Sequence, residues 1–368
     1  MVIEDFMLLF TRGVGSRGAA HLIDYFGSAE ELFAASRSEL IDGAGLREEL
    51  AERILRQEGR DAALREVEYC RRHNIRAIAA TDAEYPEPLR EAVDRPHVLF
   101  VRGEVAALSM RTLTVVGTRE ISPSGLNVCN RLIEGLSSIA DDLCIVSGLA
   151  YGVDAAAHRA AISFGATTVA VVANALPDVT PAPHRTLAED IIRGGGAIVS
   201  ELHSQTRQNG NYYLARNRIL AAMSMGTLVV ESPASGGSLS TADMADGYHR
   251  TVMAVPGRIT DINSFGSNVL IRSGKARMVL TPADIVEDMG WSLSEKVSDD
   301  RVDIDATMEG LSPSERMTLS AFDSAVSLDW AQLLDATGLT MGELSMVVMD
   351  LEMKGLIRAL PGKRYERI

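Results

Sequence analysis

The sequence predicts an α/β protein built on a doubly wound parallel sheet, with a helical unit before it and a winged helix after it. Short apolar runs alternate with helix-length segments from Leu113 to about Trp291, which is the pattern of repeated strand–helix units. Runs such as TVAVV and TLVV are continuously apolar, as expected of strands buried on both faces. Gly117 and Gly148 end two of the runs, so tight strand-to-helix turns are expected there.

A small helical domain is predicted for residues 1–75. A GVG motif at residues 13–15 precedes the apolar segment AAHLIDYF, and a second glycine pair, at 43 and 45, precedes REELAERIL. Two such units resemble paired helix–hairpin–helix elements, whose tight turns can present backbone N–H groups to DNA phosphates. Arg12 and Arg17 flank the first turn and suit that role. The alternative is a domain that keeps the turns only for packing, because the neighbouring residues are acidic.

The domain of residues 76–291 is predicted to hold the sheet, extended by two earlier strands at Arg76–Ala80 and Val98–Val101. Ligands of such sheets bind beyond the carboxyl ends of the strands, where the glycine turns fall. The principal strands are predicted at Thr114–Val116, Ile145–Ser147, Thr168–Ala173, Ala197–Ser200, Thr227–Glu231, Val252–Val255 and Met278–Leu280. The helices between them are predicted at Ser124–Ile139, Asp154–Phe164, His184–Arg193, Ala215–Ser224, Ser240–Tyr248 and Ala283–Asp288.

Residues 292–310 are polar, acidic and aperiodic, which predicts a linker. Residues 311–368 show three helical segments and two short strands around a turn at 361–363, the pattern of a winged helix. Its presumed recognition helix, Thr340–Met353, contains three acidic residues and no Lys or Arg. Because a helix in the major groove meets phosphates on both sides, we predict a protein-contact role rather than duplex reading. The basic residues lie in the wing, at Arg358, Lys363, Arg364 and Arg367.

Charge and cysteine usage exclude several classes of protein. The 36 Lys and Arg against 50 Asp and Glu give a net charge of −14, which argues against coating duplex DNA through bulk positive charge but permits a local basic groove. The sequence has no run of about 18 apolar residues and no basic leader, so neither a transmembrane helix nor a signal peptide is expected. Cys70, Cys129 and Cys144 have no metal-binding spacing, and the last two are predicted to be core thiols in a reducing cytoplasm.

Motifs for catalysis and cofactor binding are missing from the sequence. Gly117 is followed by Thr118 and Arg119 rather than by the second glycine of a dinucleotide fingerprint, and no P-loop occurs. HExxH, GxSxG and paired-carboxylate motifs are missing as well. We therefore expect no catalytic residue, no metal and no cofactor. The strand ends offer glycine, arginine and asparagine instead, which suit a phosphate-binding site.

Arg119 is the strongest candidate for a ligand contact, because its planar, permanently charged guanidinium directly follows a strand-end glycine. The segment Arg216–Arg218 starts a predicted helix, and its two arginines splay to different sides. Arg218 could instead hold the sheet edge by pairing with Glu231 or Asp243.

Two histidines lie close to these candidates in the sequence. His158 follows Asp154 by one helical turn, so a buried pair that fixes the loop is predicted, with catalysis as the alternative. His184, after Pro181 and Pro183, marks a helix start and could also contact a ligand.

Eight segments closely resemble, in this order, the DNA-processing protein A (DprA/Smf) family: TVVGTRE, SGLAYGVDAAAHRAA, HRTLAEDI, GGGAIVSE, ARNRILAAMS, TLVVES, SGGSLSTA and AVPGRI. The resemblance covers the whole chain. It implies an extended Rossmann-like core between an N-terminal helical domain of SAM or helix–hairpin–helix type and a C-terminal winged helix. It also implies a cytoplasmic protein, not an enzyme, that binds single-stranded DNA, forms a homodimer through the Rossmann-like domain and loads the RecA recombinase in natural transformation. Arg119 falls at the family's phosphate-contacting arginine.

One departure from the family affects the expected groove. The family often has a Tyr-Pro pair and then a basic or polar residue before the helix that matches His184–Arg193. This sequence has Thr180-Pro181-Ala182-Pro183 there, and Ala182 cannot bind a phosphate. Arg185 is predicted to take over that contact.

A single strand is predicted to track electrostatically across the strand ends. Arg119 and the amides of Gly117 and Thr118 would bind one phosphate, while nearby glycine turns would bind its neighbours. The candidates for stacking on a base are Tyr151, Tyr212 and Tyr213. The last two lie in the polar loop QNGNYYLARN, where one could stack on a base and the other could pack within the protein. The predicted DNA-binding residues are Gly117, Thr118, Arg119, Ser147, Gly148, Arg185, Tyr212, Arg216, Asn217, Arg218, Gly236, Gly237 and Ser238.

Two other functions remain open from the sequence. Folds of this type also resemble lysine-decarboxylase-like phosphoribohydrolases, although Pro233–Asp243 lacks the glutamate of their PGGxGTxxE motif. The other is a purely scaffolding protein with a vestigial site. The resemblance alone suggests a dimer surface around Met223–Met225, Met244–Tyr248 and Val252–Val255.

Overall fold

The computed structural model describes residues 1–207, 209–291, 311–324, 327–354, 356–360 and 364–367. Contacts divide the chain into two compact units, Met1–Val297 and Ser298–Ile368. The predicted linker at 292–310 and the predicted wing turn at 361–363 lie outside the described residues. None of the described helices is long and apolar enough to cross a membrane.

The first unit begins with a group of helices that packs on the sheet. Phe6 and Met7 share one hydrophobic core with the strand residues Val98 and Phe100. The domain boundary at residue 75 stays a prediction, because this core crosses it. The helices are α1 (Ile3–Phe10), α2 (Ser16–Phe26), α3 (Ala29–Ala34), α4 (Glu48–Leu55) and α5 (Arg60–Arg72), with a π-helical turn at Glu39–Gly43.

The two arginines of the first glycine turn have different surroundings. Gly13, with φ at +94°, forms the turn between α1 and α2 in a conformation that glycine adopts readily. Arg12 forms an ion pair with Glu58, and its carbonyl accepts a hydrogen bond from Arg53 at 2.8 Å. Arg17 is exposed and has no ion pair or hydrogen bond to its side chain among the described residues. Of these two arginines, only Arg17 therefore has a charge that no ion pair within the described residues compensates.

The sheet confirms the predicted doubly wound class. Within the described residues it has nine strands, in the order β1-β2-β6-β5-β4-β3-β7-β8-β9. β2 pairs antiparallel with β1 and β6, whereas the neighbours from β6 through β9 are parallel. The strands are β1 (Arg76–Ala79), β2 (Val98–Gly103), β3 (Arg111–Val116), β4 (Leu143–Ser147), β5 (Thr167–Val171), β6 (Ala197–Ser200), β7 (Gly226–Val229), β8 (Thr251–Ala254) and β9 (Arg277–Met278).

The helices of this domain agree with the prediction except at three places, one of which is the short, unpredicted α6. The helix before β7 begins at Asn211 rather than at Ala215, so the tyrosines that were predicted to lie in a loop are helical. A helix at Phe265–Arg272 was not predicted, since its glycine, serine and asparagine have low helix propensity. The helices are α6 (Glu87–Arg90), α7 (Pro123–Ile139), α8 (Val153–Ser163), α9 (Arg185–Arg193), α10 (Asn211–Ala222), α11 (Gly237–Gly247), α12 (Phe265–Arg272) and α13 (Pro282–Asp288).

The order of the strands places a crevice at the centre of the sheet. From β3 the chain moves through β4 and β5 to β6 on one side, and it later returns as β7 on the other side of β3. β3 and β7 are parallel, with Val115 opposite Leu228. The carboxyl ends of these two strands therefore form the topological switch point, at which doubly wound proteins bind ligands.

The three cysteines are buried and free. Burial raises the pKa of the Cys70, Cys129 and Cys144 thiols to about 12 each. Thiols with such a pKa are poor nucleophiles and poor metal ligands at neutral pH. The predicted role of Cys129 and Cys144 as core thiols is confirmed.

The second unit confirms the predicted winged helix. Leu333, Leu344 and Leu351 are buried in its core. In the wing, Arg358 forms an ion pair with Glu366, which compensates part of the predicted basic charge. The elements are α14 (Pro313–Ser320), β10 (Leu328–Asp329), α15 (Trp330–Thr337), α16 (Met341–Met353), β11 (Ile357–Leu360) and β12 (Arg364–Arg367), and the sheet order is β10-β12-β11.

Candidate nucleic-acid interface

A cavity of about 390 Å³ lies at the switch point, between the carboxyl ends of β3 and β7 and the start of α10. We call it the switch-point cavity. It brings together eight of the predicted residues: Gly117, Thr118, Arg119, Arg216, Asn217, Gly236, Gly237 and Ser238. Its lining also includes Tyr213, one of the candidate stacking tyrosines, and residues that the sequence did not single out as DNA contacts: Ala150, Asp154, Leu214 and Thr241.

Arg119 is the exposed cation of this cavity. Its guanidinium carbon lies 5.8 Å from the centre of the Tyr213 ring, within the range of a cation–π contact. It has no ion pair or hydrogen bond to its side chain among the described residues, so its donors can bind an incoming anion. Tyr213 is half-buried, which leaves part of its ring accessible.

The turn before Arg119 is structural, which corrects the prediction for Thr118. The Thr118 amide donates to the Glu231 carbonyl at 2.7 Å, and the Thr118 carbonyl accepts from the Val153 amide at 3.0 Å. A Cβ on Gly117 would lie 2.4 Å from the Val153 side chain. The turn therefore locks β3 to β7 and α8, and the Thr118 amide is not available to a phosphate.

Ser147 and Gly148, which follow β4 and were predicted to bind a phosphate, also have partners within the protein. Ser147 is fully buried and donates to the Val115 carbonyl at 2.6 Å. The Asp154 carboxylate accepts a hydrogen bond from the Ala150 amide at 3.3 Å, and the buried Gly148 amide beside it partly offsets the rise that burial causes in its pKa. A Cβ on Gly148 would lie 2.3 Å from the Arg216 guanidinium. Ser147 and Gly148 therefore support the cavity from below, and their predicted role as phosphate donors is wrong.

Arg216 is a buried cation in the floor of the cavity. Its guanidinium donates to the Gly148 carbonyl at 2.7 Å and to the Val171 carbonyl. Burial lowers the pKa of Arg216, and the Asp154 charge opposes that effect. Burial likewise raises the pKa of Asp154, and the Arg216 charge opposes the rise. The hydrogen bonds of Arg216 hold the loop after β4, and Arg216 stays within the lining of the cavity.

Asn217 and the start of α11 close the opposite wall. The Asn217 amide donates to the Gly237 carbonyl at 3.3 Å, which ties α10 to α11. Gly236 and Gly237 are exposed, whereas Ser238 is buried with its hydroxyl 2.9 Å from that of Ser232. The N-terminus of an 11-residue helix thus faces the cavity, and its amides and dipole favour an anion there.

Arg218 lies on the other side of α10, so its assignment to the phosphate site is wrong. It forms an ion pair with Glu201, and it donates to the Asp94 carbonyl at 2.6 Å and to the Ser16 hydroxyl at 3.1 Å. The predicted splaying of the two arginines is confirmed. The sequence also allowed Arg218 to form an ion pair with Glu231 or Asp243 instead of binding a ligand. Arg218 does form an ion pair, but with Glu201.

The two carboxylates that the sequence offered to Arg218 have other partners. Glu231 accepts hydrogen bonds from the amide of Ser122 at 2.9 Å and from its hydroxyl at 2.5 Å, at the start of α7. Asp243 pairs with Lys275 at 2.8 Å.

Tyr213, rather than Tyr212, faces the switch-point cavity. Tyr212 lines a separate cavity together with Leu8 and His203. Because α10 begins at Asn211, consecutive tyrosines point about 100° apart around the helix axis. A loop at this place, as predicted from the sequence, would not have distinguished them.

Arg185 does not line the cavity in the described residues. It is exposed at the start of α9, and its contribution to binding stays a prediction. His184 beside it is buried, with Nδ1 at 2.8 Å from the Leu149 carbonyl and its ring 4.9 Å from that of Tyr151. His184 is therefore a structural residue that holds the loop after β4.

The predicted Asp154–His158 pair does not form. His158 Nδ1 lies 2.7 Å from the Thr168 hydroxyl, while Asp154 interacts with Arg216. Burial, together with the positive charges nearby, lowers the pKa of His158 to about 3. The imidazole is thus neutral at physiological pH and joins α8 to β5.

The cavity has the chemistry of an anion site with an aromatic side. It combines an exposed cation, a buried cation, a helix N-terminus and a partly accessible ring. Within the described ranges no group of three or more His, Cys, Asp or Glu side chains is arranged to hold a metal ion.

Comparison with known proteins identifies the family. Residues 76–290 match the family model of the DNA recombination-mediator protein A, and residues 308–363 match the DprA winged helix domain. The chain belongs to the DprA/Smf family. Its members include the protein Smf of Escherichia coli K12, 33% identical over 297 residues that make up 78% of this chain and 76% of that protein. The DNA processing protein DprA of Streptococcus pneumoniae R6 is 36% identical over 58% of this chain and 73% of its own.

Solved structures support the same fold. The X-ray structure of DprA from Streptococcus pneumoniae matches with a TM-score of 0.67 and 28% identity, over 78% of this chain and 98% of that chain. DprA from Helicobacter pylori, whose structure concerns its single-stranded DNA binding mode, shares the fold with a TM-score of 0.53 and 23% identity, over 60% of this chain and 97% of that one. This DprA/Smf protein is accordingly a DNA-processing protein with a role in recombination.

Proposed function

We propose that this DprA/Smf protein binds single-stranded DNA at the switch-point cavity and acts as a recombination mediator rather than as an enzyme. The observation that carries the proposal is Arg119, an exposed cation without an ion-pair partner among the described residues, placed beside the accessible ring of Tyr213. A phosphate and an unstacked base are the two parts of a single strand that such a pair can bind. In a duplex the bases are stacked and paired, so the ring would have no base face to contact.

Binding follows from the geometry of the cavity. The Arg119 guanidinium donates to a phosphate, and the N-terminus of α11 stabilises that phosphate or the next through its amides and dipole. Arg216 adds positive charge from below without being exposed. The strand is held by its backbone, so the affinity depends little on sequence.

Loading of the RecA recombinase onto the bound strand, in natural transformation, is the finer role that we propose. Membership in a family of recombination mediators supports it. A mediator must hold single-stranded DNA without modifying it. In the described part of the cavity, Arg119 and Tyr213 can bind a strand, while Thr118 and Arg216 hold the surrounding loops in place. Glu231, the glutamate nearest in sequence to the segment compared with the phosphoribohydrolase motif, is 5% exposed and bonded to Ser122, so it lacks the freedom of a catalytic base.

Homodimerisation through the Rossmann-like domain is part of the same proposal. Of the surfaces suggested by the sequence, Met223 and the strand β8 are buried, whereas Met225 is 49% exposed. More apolar surface lies nearby in the sequence, where Ile259 and Ile262 are 94% and 79% exposed. A contiguous patch of such side chains would favour a protein partner.

Fluorescence anisotropy with labelled oligo(dT) tests the proposal. We expect the wild type to bind and Arg119→Ala to lose most of its affinity at low salt. Arg131→Ala is the matched control, because Arg131 is an exposed arginine of α7 outside the cavity. Equal affinities for wild type and Arg119→Ala would contradict the proposed site.

The winged helix is proposed to contact protein rather than duplex DNA. Glu343, Asp350 and Glu352 give α16 a negative charge, and Arg358 of the wing is paired. Deletion of residues 300–368 should therefore leave duplex affinity in a mobility-shift assay unchanged. A clear drop in duplex affinity on deletion would oppose this role.

A further inference from the structure

A second cavity, of about 920 Å³, lies on the opposite side of α10 from the switch-point cavity. We call it the α10 back cavity. Four residues of α10 line it, and their spacing along one helix face is i, i+3, i+4 and i+7. They are Asn211, Leu214, Ala215 and Arg218. The other walls come from the loop at 91–94, the end of α11 and Arg17 of α2.

The two cavities meet at Leu214. This side chain lines both of them and is 54% exposed, so it forms the rim between them. Tyr213 and Asn217 face the switch-point cavity, while Ala215 and Arg218 face the α10 back cavity. Because a helix with its side chains is only about 10–12 Å across, a strand that crosses the first turn of α10 passes from one cavity to the other within a few nucleotides.

The walls of the α10 back cavity are apolar and aromatic. Val93 is 67% exposed and lies in its lining with Leu214 and Tyr248. The Tyr248 hydroxyl donates to the Asp94 carboxylate at 2.6 Å, which fixes the orientation of the ring. His249, exposed and with φ at +58°, adds a second ring at the edge. A flat apolar group is the ligand that such walls accept.

Two ion pairs lie at the α10 back cavity, and among the described residues they leave Arg17 and Asp94 outside any ion pair. Glu91 is paired with Arg250 at 2.7 Å, and Arg218 is paired with Glu201. Asp94 accepts the hydrogen bond of Tyr248, so part of its negative charge is stabilised within the protein. Arg17, exposed and without an ion pair among the described residues, can bind a phosphate at the mouth.

We propose that the α10 back cavity is a second subsite for the same single strand, which holds a nucleotide with its base against Val93, Leu214 and Tyr248 and its phosphate on Arg17. The inference rests on the proposed function, because it takes the strand from the switch-point cavity across Leu214. It assigns a DNA contact to the N-terminal helices, which the switch-point cavity does not require.

A length series of oligothymidylates separates the two subsites. OB folds, which also bind single strands, cover about 4–16 nucleotides, so a series across that range should fill first one cavity and then both. We expect Arg17→Glu and Val93→Glu to bind the shortest oligomers like the wild type and to lose roughly tenfold in affinity for the longest. Arg47→Glu and Val67→Glu introduce the same charge changes at exposed positions outside both cavities and should bind all lengths normally.

Photocrosslinking supplies a positive readout. Long oligomers that carry 4-thiothymidine should crosslink to the segment that contains Tyr248 and His249, and Arg17→Glu should reduce the yield. Equal affinities of the variants and wild type for every length, with no crosslink in this segment, would overturn the second subsite. If only Arg119→Ala then loses binding, the proposed function stands without it. If the wild type binds no oligomer, both proposals fail.

Discussion

Arg119 and Tyr213 come from separate segments and meet at one cavity, with the guanidinium carbon 5.8 Å from the ring centre. Arg119 follows β3, and Tyr213 lies in the first turn of α10, before β7. Both segments are held in place by buried contacts, since the Thr118 amide bonds to Glu231 and Asn217 bonds to Gly237. The pair is therefore ready for a ligand before the ligand arrives.

The salt dependence of binding should report the number of phosphates. If each subunit contacts roughly 3–4 phosphates, the slope of log K against log salt should lie near −2 to −3, from about 0.7 per phosphate of a single strand. Arg119→Ala should reduce the slope by about 0.7. Oligo(dT) titrations from low to moderate salt measure both, and a slope near zero for the wild type would exclude electrostatic tracking.

The two adjacent tyrosines should differ in their effect on binding. Tyr213→Leu removes a ring from the switch-point cavity, and a stacked base is worth about 1–3 kcal/mol, so its affinity for oligo(dT) should fall about 5-fold or more. Tyr212→Leu is the matched control, because Tyr212 lines a different cavity. Anisotropy titrations with labelled oligo(dT) measure the affinities of both variants and of the wild type. A larger loss for Tyr212→Leu would restore the assignment made from the sequence.

Arg216→Met should destabilise the fold. It removes the buried cation whose charge offsets that of Asp154, together with the hydrogen bonds to the Gly148 and Val171 carbonyls, and each buried polar group left unsatisfied costs about 1–3 kcal/mol. Denaturant unfolding monitored by circular dichroism measures the loss. The control Arg131→Met changes an exposed arginine and should alter stability by about 0.5 kcal/mol or less. If both variants have the same free energy of unfolding, Arg216 does not stabilise the fold in this way.

Stability should decline in weak acid because of His158. Its pKa is about 3 in the folded protein and near its ordinary value of about 6.5 in the unfolded chain. Its contribution is thus fully present above about pH 6.5 and is lost progressively as the pH falls toward 3, because protons bind the unfolded state more readily. His158→Asn should flatten this part of the pH profile of the unfolding free energy. His21→Asn, at an exposed site, should leave the profile unchanged.

The main architecture could be predicted from the sequence because it depends on local patterns. Continuous apolar runs marked the buried strands, and glycines marked the turns after β3 and β4. Arg119 was identified for a local reason too, as the first charged residue after a strand-end glycine. The winged helix followed from three amphipathic segments and a turn.

The partners of buried polar groups could not be predicted, because they depend on contacts between distant segments. Arg218 and Glu201 are 17 positions apart, but Arg218 and Ser16 are 202 apart. To choose between Tyr212 and Tyr213, the exact first residue of α10 must be known. The sequence does not indicate it, because the helix begins at Asn211, directly after Gly210, and both residues have low helix propensity. The Thr118 amide was expected to be available in a glycine turn, yet the Glu231 carbonyl accepts its hydrogen bond, and Gly148 is buried.

One guanidinium, that of Arg218, joins α2, the loop before β2 and the end of β6 to the helix that carries Tyr213. The direction of Tyr213 toward Arg119 is therefore set in part by Ser16, Asp94 and Glu201, none of which lines the switch-point cavity. A change in the N-terminal helices that never touches DNA can still tilt α10 and alter how firmly the strand is held.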